Sequence, residues 1–223
     1  MFNVQAGSFI HKVGHPLGSL YTFEFDGIWQ LDEIEQAAKF GQRPGQIRVK
    51  DIDGNGVINA NDRTIIGNTM PKWTGGITNT FEYKNFDFSV FVFTSQGAKA
   101  ASWFHLSHGG VGGNRFNTLK WDYWTPENPS NTIPQPGNPG PFEEPFFYRD
   151  VSYTRVGFMT LGYNFKPAVL EKVKLKGARI YFTGQNPFTF TSFEGWDPET
   201  AARNSWGSAH LSRTWMGGVN IKF

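Results

Sequence analysis

The sequence predicts an all-β fold: about six antiparallel strands from the wall of a large transmembrane β-barrel, with long extracellular loops and one or two short helices. Three observations lead to this prediction. Segments of about ten residues alternate apolar and polar side chains, as strands that cross a bilayer do. Long and short connections alternate between these segments, and the chain ends on an aromatic residue, Phe223.

The composition fits a barrel with an apolar outside and a polar inside. Aromatic residues make up 17% of the chain, yet the hydrophobic fraction is only 39% and the mean hydropathy is -0.42. Aromatic girdles around a polar interior account for both values. With 21 basic and 19 acidic side chains, the chain has no basic excess for binding nucleic acid. The absence of cysteine excludes disulfides and thiolate metal sites.

The first predicted strand covers residues 18–29, where aromatic residues alternate with small or polar ones. A short helix is predicted next, because Asp32 and Glu35 have the spacing of a capping box. Residues 73–84 show the clearest period of two, with Trp73, Ile77 and Phe81 on one face. A tight turn leads into residues 86–97, so these two segments are predicted to form a hairpin.

Residues 98–150 lose this periodicity and are rich in Gly, Pro and Asn, which predicts a long loop. A second strand pair is predicted at 152–165 and 177–190, and a final strand at 211–223. Since a complete barrel needs at least about eight strands, the chain is predicted to be part of a larger wall. The alternative is a soluble, calcium-stabilised β-sheet module that binds glycans, because amphipathic strands with polar loops occur there too.

Several phrases, in their order along the chain, carry a resemblance to one family. They are the PLGSLY…FEFDGIWQ run within 14–30, the block DIDGNG…FDFSVF at 51–91, LGYNF with Arg155 upstream, ARIYFTGQNPFTFTSFEGWDPE, and VNIKF. Together they resemble the C-terminal part of SusC/RagA proteins, which are TonB-linked outer-membrane receptors. The resemblance covers most of the chain, from about residue 14 to the end.

The resemblance implies a plugged barrel of about 22 strands in the outer membrane of Bacteroidetes. It implies an importer of oligosaccharides or peptides, with a SusD-like surface lipoprotein as partner and TonB acting through an N-terminal plug. Plug and earlier strands would precede residues 1–223, so Met1 is interpreted as the start of a truncated reading frame. The resemblance also implies that the protein is not an enzyme, and no catalytic fingerprint is present in the sequence.

Residues 51–62 match a calcium-binding loop. Its predicted ligands, in loop order, are Asp51, Asp53, Asn55, Val57 through its carbonyl, Asn59 and Asp62. Gly56 occupies the tight turn, whereas Asp62 stands where an EF-hand has Glu. The flanking residues do not form two amphipathic helices, so an isolated loop with a structural Ca²⁺ is expected. A metal-free loop in which the same side chains form Asx-turns is the alternative.

The carboxyl terminus fits the spacing of a barrel-assembly signal. Gly218, Ile221 and Phe223 occupy its expected positions, whereas Met216 stands where a polar residue is usual. The signal implies an interaction with the barrel-assembly machinery, followed by contact with outer-membrane lipid.

Other possible sites have simpler interpretations. His105 and His108 have a spacing that suits a metal, but loop histidines without a metal are favoured. Asp197 and Glu199 suggest the paired carboxylates of a glycosidase, but the intervening Pro favours a turn. A group of loop aromatics fits sugar stacking, interfacial anchoring or packing equally well. The group consists of Trp103, Trp121, Tyr123, Trp124, Phe146, Phe147 and Tyr148.

Overall fold

The computed structural model describes residues 3–111, 119–202 and 211–223, and the chain divides into two compact units. We call residues 71–97, 152–192 and 209–223 the strand unit. Residues 1–70, 98–151 and 193–208 form the mixed unit.

The elements are short in the mixed unit and long in the strand unit. In chain order, the strands are β1 (Asn3–Ala6), β2 (Phe9–Lys12), β3 (Ser19–Phe23), β4 (Phe25–Ile28), β5 (Ile47–Val49), β6 (Arg63–Asn68), β7 (Trp73–Tyr83), β8 (Phe86–Gln96), β9 (Lys99–Ala101), β10 (Tyr148–Asp150), β11 (Tyr153–Asn164), β12 (Gly177–Thr191) and β13 (Thr214–Lys222). The α-helices are α1 (Ile34–Lys39), α2 (Trp103–His108), α3 (Pro167–Leu170) and α4 (Pro198–Ala202).

The strand unit is a five-stranded antiparallel sheet with the order β13-β12-β11-β8-β7. Its strands are 9 to 15 residues long, which is enough for a tilted strand to cross a bilayer. The predicted hairpin of β7 and β8 is confirmed, and Tyr83 pairs with Phe86 across a two-residue turn. The predicted second pair and final strand are confirmed as β11, β12 and β13.

The two faces of this sheet differ in chemistry. Direct cross-strand partners such as Ile77 and Val92, or Phe88 and Leu161, lie on one apolar face. The side chains of this face include Trp73, Ile77, Phe81, Tyr83, Phe86, Phe88, Val90, Val92, Leu161, Tyr163, Ile180, Phe182, Trp215, Val219 and Ile221. The opposite face is mainly polar, and hydroxyl groups of Thr160 and Thr183 lie 2.9 Å apart on it.

A bulge in β11 changes the pattern that simple alternation predicts. The register shifts between Val156 and Phe158 against both neighbouring strands. Phe158 therefore joins Phe91 on the polar face, where their ring centroids are 5.6 Å apart. A Cβ on Gly157 would lie 2.9 Å from the Phe91 ring, so the absence of a side chain at position 157 leaves room for that ring.

The mixed unit contains small sheets with the orders β1-β2-β3-β6, β4-β5 and β9-β10. The predicted strand at 18–29 is wrong as a single element, because the chain changes from β3 to β4 at Glu24. The reason is that β3 pairs with β6 in one sheet and β4 pairs with β5 in another, so the chain changes partners at Glu24. Within β4, Gly27 has φ +112° and Asn131 Oδ1 accepts a hydrogen bond from Ile28 N at 2.9 Å. The transmembrane-length sheet consequently has five strands among the described residues rather than about six.

The core of the mixed unit lies between β4, β5 and the long connection. Its buried side chains are Ile28, Ile47, Val49, Val111, Trp124, Phe146 and Phe147. Residues 98–150 were predicted to lack regular structure, yet β9, β10 and α2 form within them. Sequence periodicity could not reveal such short elements, because segments of three to six residues do not define a period.

The helices also differ from the prediction of one or two, since four short α-helices occur in the described part of the chain. The capping box predicted from Asp32 and Glu35 is wrong, because Glu33 accepts a hydrogen bond from Gln30 N at 2.9 Å instead. Within the described residues, no helix has the length and apolar character that crossing a membrane would require.

Candidate functional site

The 51–62 loop connects β5 to β6 in the mixed unit. It is therefore flanked by strands, as the absence of amphipathic helices in the sequence indicated. The loop ends in a single 3-10 turn at Ala60–Asp62, which Asn59 caps by accepting a hydrogen bond from Asn61 N.

Three carboxylates converge in this loop. One oxygen each of Asp51, Asp53 and Asp62 lies within 4.8 Å of the other two. Separate turns of the backbone bring them together, because Asp51 and Asp53 lie at the start of the loop and Asp62 at its end. Like charges at such short range repel one another unless a cation or donor groups compensate them.

Backbone N–H groups supply part of this compensation at the start of the loop. Asp51 Oδ1 accepts from Gly54 N at 2.8 Å, and Asp51 Oδ2 accepts from Gly56 N at 2.7 Å. Gly54 and Gly56 have φ of +71° and +81°, a conformation that favours glycine. Asp53 Oδ1 accepts from Asn55 N at 3.1 Å.

Asp62 holds the two ends of the loop together. Its side chain is fully buried, and its two oxygens accept hydrogen bonds from Ile52 N and Asn59 N, both at 2.8 Å. The Asn59 N–H is the main reason that the pKa of Asp62 lies below its usual range, even though burial acts in the opposite direction. Asp62 is therefore an anion within the fold.

The donor set fits a hard cation such as Ca²⁺. A carboxylate offers about four acceptor positions, and each of these aspartates uses two or three of them within the loop. The remaining predicted ligands are engaged in turns. Asn55 Oδ1 accepts from Val57 N at 2.8 Å, and Val57 O accepts from Asn59 Nδ2 at 3.1 Å. The geometry accommodates both a cation and the Asx-turns.

The three residues of the predicted assembly signal lie on or next to β13. Gly218 pairs with Tyr181, whose ring would lie 2.3 Å from a Cβ at that position. Ile221 belongs to the apolar face and is 51% exposed, and Phe223 is 80% exposed. Gly218 thus has a packing role in addition to its place in the predicted signal.

His105 and His108 do not converge on one point. His105 Nδ1 lies 2.5 Å from Ser102 Oγ, and the ring stacks on Trp121 with a centroid distance of 5.5 Å. His108 Nδ1 lies 3.1 Å from the carbonyl oxygen of Phe104. Both residues lie in helix α2 and not in a loop as predicted, and each ring has a separate partner.

Asp197 has a local role, because its carboxylate accepts hydrogen bonds from Glu199 N and Thr200 N at the start of α4. Among the loop aromatics, Trp124, Phe146 and Phe147 are buried in the core of the mixed unit. The side chain of Trp103 lies outside the described residues. For the buried rings, packing is the interpretation that the structure favours.

Two features of the strand unit were not predicted. Arg179 Nε on β12 donates a hydrogen bond of 3.0 Å to Asp87 Oδ1 on β8. The two side chains meet over Gly162 of the intervening strand β11. An aromatic cluster also lies on the mainly polar face. It consists of Phe91, Phe93, Tyr153 and Phe158, and the guanidinium of the buried Arg155 lies 4.9 Å from the Tyr153 ring centroid. The glycine in LGYNF was the only sequence signal for the first feature.

The chain is similar along almost its whole length to named receptors. It is 32% identical to the TonB-dependent receptor P3 of Formosa agariphila over 99% of the chain. It is 26% identical to the TonB-dependent receptor SusC of Bacteroides thetaiotaomicron over 96% of the chain. It spans 23% and 20% of the lengths of these two relatives, respectively. No family model matches the chain.

Solved structures show the same fold. A structure of the RagAB peptide transporter aligns with 99% of this chain at a TM-score of 0.75 and 21% identity. The RagAB peptide importer in an open state aligns over the whole chain at a TM-score of 0.70. The chain covers 24% of the matched chain in each case. The predicted barrel-segment fold is thereby confirmed.

Proposed function

Because the chain belongs to the TonB-dependent receptors, the family of SusC, we propose that it forms part of the barrel wall of an outer-membrane nutrient importer. The observation that carries this proposal is the exposed apolar face of the five-stranded sheet. Ile77 and Phe81 in the middle of β7 are 59% and 58% exposed. Such a contiguous apolar surface is stable against lipid and costly in water.

The polar face would then line the interior. Outward-facing apolar residues that alternate with inward-facing polar ones are the pattern of barrels that enclose water or a plug. The similarity to TonB-dependent receptors supports a role in transport rather than catalysis.

Oligosaccharides or peptides are the proposed cargo, a SusD-like lipoprotein is the proposed surface partner, and TonB the proposed energy source. The similarity to SusC and to the RagAB structures supports this assignment. In cells, a tagged complete receptor should co-purify with a lipoprotein. A deletion strain should lose growth on a particular glycan or peptide source while it retains growth on simple sugars and amino acids.

Fractionation tests the membrane assignment directly. The complete receptor in its native cell should sediment with the outer membrane and dissolve only in detergent. Full solubility without detergent would contradict the barrel proposal. It would instead favour the soluble, calcium-stabilised glycan-binding module.

We also propose that the 51–62 loop binds a structural Ca²⁺ through Asp51, Asp53 and Asp62. Calcium would offset the repulsion among these carboxylates, and an affinity on the order of 10⁻⁴ to 10⁻³ M is expected for an extracellular site. Replacing both Asp51 and Asp53 with Ala should abolish binding in the complete receptor. The receptor should still assemble, because Asp62 and its backbone hydrogen bonds are kept.

Calorimetry or terbium luminescence would measure this binding. The matched control is Asn61→Ala, an exposed loop residue that donates its backbone N–H, and no side-chain group, to the capping side chain of Asn59. Its calcium response should equal that of the unmodified receptor. No response of the unmodified receptor at millimolar calcium would leave the metal-free Asx-turn loop as the explanation.

A further inference from the structure

One end of the strand unit concentrates positive charge. This end contains the β7–β8 turn (residues 84–85), the β11–β12 turn (residues 165–176) and the last residues of β13. The first two turns are joined by a hydrogen bond from Asn164 N to Asn85 O of 2.8 Å. The second turn and β13 are joined by a bond from Lys176 N to Lys222 O, also of 2.8 Å.

Six exposed lysines belong to this end, which we call the lysine end. They are Lys84, Lys166, Lys172, Lys174, Lys176 and Lys222. Across residues 165–176 the only acidic side chain is Glu171. None of the ion pairs formed by described residues involves any of the six, and the Lys84 ammonium lies 5.1 Å from the centroid of the Tyr83 ring.

Backbone conformation gives a second, separate indication. Lys84 and Lys174 have φ of +56° and +55°, a left-handed conformation that glycine or asparagine adopts with less strain. Both positions lie in turns where glycine would serve the backbone better. The backbone conformation therefore does not favour lysine at either position.

Apolar groups lie beside the lysines. Val169 and Val173 in the β11–β12 turn are 50% and 60% exposed, while Leu170 between them is buried and anchors the turn. Next to this turn the apolar face ends in a row of rings. The ring centroids of Phe86 and Tyr163 are 4.9 Å apart, and those of Tyr163 and Phe165 are 5.3 Å apart. Such rings mark the boundary between lipid and water.

We propose that the lysine end binds the phosphate headgroups of anionic phospholipids in the leaflet at the short-turn side of the barrel. An amphiphile suits this surface because it brings a negative headgroup and an apolar tail to adjacent positions. A soluble anion would use the lysines but leave the valines and rings in water. The inference rests on the proposed function, since it requires the sheet to span a membrane with its short turns on the periplasmic side.

The test uses the complete receptor in lipid nanodiscs made from phosphatidylethanolamine with a minor fraction of phosphatidylglycerol. Native mass spectrometry of the receptor released from these discs should show phosphatidylglycerol retained well above its share of the disc lipid. The variant with Lys172→Gln, Lys174→Gln and Lys176→Gln should lower this enrichment about fivefold or more.

A matched control variant carries Lys12→Gln, Lys39→Gln and Lys120→Gln, three exposed lysines of the mixed unit. It should keep the full enrichment. Equal loss in the control, or no enrichment in the unmodified receptor, would overturn the inference. Displacement of the retained lipid by millimolar inorganic phosphate would also overturn it, because a free anion would then suffice.

Insertion is scored separately by the heat-dependent gel mobility of a folded barrel. A receptor that fails to enter discs would contradict the proposed function, and the lipid inference with it. An inserted receptor without lipid preference would contradict the lipid inference alone.

Discussion

Asp62 and His105 are both buried ionisable side chains of the mixed unit, and burial affects them differently. The pKa of Asp62 falls because backbone N–H groups, that of Asn59 above all, stabilise its charged form more than burial destabilises it. The pKa of His105 falls to about 4 because burial disfavours the imidazolium and the nearby positive charge of Arg149 adds to the effect. His105 is therefore neutral at physiological pH.

Because the pKa of His105 differs between the folded and the unfolded state, the stability of the mixed unit depends on pH. An unfolded histidine has a pKa of about 6.5, so the unfolded state binds a proton first as the pH falls. The stabilisation is complete above about pH 6.5 and is lost progressively toward about pH 4. Between about pH 7 and about pH 5 we expect the unfolding free energy of the α2 region to fall by about 2 kcal/mol.

Hydrogen exchange of the α2 amides, corrected for the intrinsic pH dependence of exchange, would measure this change. His105→Phe should remove the pH dependence, whereas His11→Gln, at an exposed position of the same unit, should retain it. An unchanged slope in His105→Phe would show that another group is responsible.

Gly162 lets an ion pair cross a strand. Arg179 contacts Asp87 over it with distances of 3.0 and 2.5 Å, and a Cβ at position 162 would lie 2.4 Å from the guanidinium. Gly162→Ala should therefore separate the pair and lower the free energy of unfolding by about 1 to 3 kcal/mol. In Arg179→Gln, the same glycine substitution should cost much less, because there is no longer an ion pair to separate.

Urea unfolding of the complete receptor in detergent micelles would compare these variants. Gly217→Ala on β13 is the matched control, since a Cβ there would meet nothing within 4 Å. Equal effects of Gly162→Ala and Gly217→Ala would mean that glycine in a strand, and not the ion pair, determines the cost.

At the scale of single elements, the nine residues of β13 both fit closely against β12 and continue the apolar face of the sheet. Gly217 and Gly218 lie on opposite faces of the strand. The Tyr181 ring packs over Gly218, whereas nothing lies within 4 Å of a Cβ placed at Gly217. Its apolar face, including Trp215 and Val219, continues that of β12 through the stacking of Phe182 on Trp215 at 5.4 Å. The strand thus extends the sheet whether or not its end serves as a signal.

The proposed assembly signal depends on the exposed terminal ring. Phe223→Ser should lower the amount of receptor in the outer membrane, because the assembly machinery would lose its recognition element while the pairing of β12 with β13 is kept. Quantitative immunoblots of membrane fractions would measure it. Asn220→Ser, at an exposed position of the same strand, is the control, and equal receptor levels in all three proteins would remove this role from Phe223.

For the whole molecule, the decisive property is the difference between the two faces of the sheet. Ile77 lies on the apolar face and Thr78 beside it on the opposite face, and both side chains are exposed. In a membrane, Ile77→Arg would place a charge in lipid and cost about 2 to 4 kcal/mol near the midplane. Thr78→Arg would place the same charge in the polar interior at little cost.

Folding yields of the two variants of the complete receptor, refolded into lipid vesicles, would test this difference. We expect Ile77→Arg to fold poorly and Thr78→Arg to fold like the unmodified receptor. Equal yields would contradict the assignment of the apolar face to lipid, since a soluble sheet tolerates arginine at either exposed position.

The sequence by itself determined the long strands, the pairing of β7 with β8 and of β11 with β12, and the resemblance to the family, together with the composition of the 51–62 loop. Alternation over about ten residues repeats often enough to identify a strand and its apolar face. The position of glycines and acids in DIDGNG likewise specifies a turn that gathers carboxylates. In both cases the determining contacts are local or periodic, so a single chain segment contains the whole signal.

Only the tertiary structure decided where the alternation of side chains is interrupted and which residues of distant segments contact one another. The division of 18–29 into two strands depends on pairing with β6 for one part and with β5 for the other, and the placement of Phe158 on the polar face depends on a bulge measured against two neighbouring strands. The partnership of Asp87 with Arg179 spans 92 residues of sequence. These features arise from contacts between distant segments, and no local period of side chains encodes which distant residue will be the neighbour.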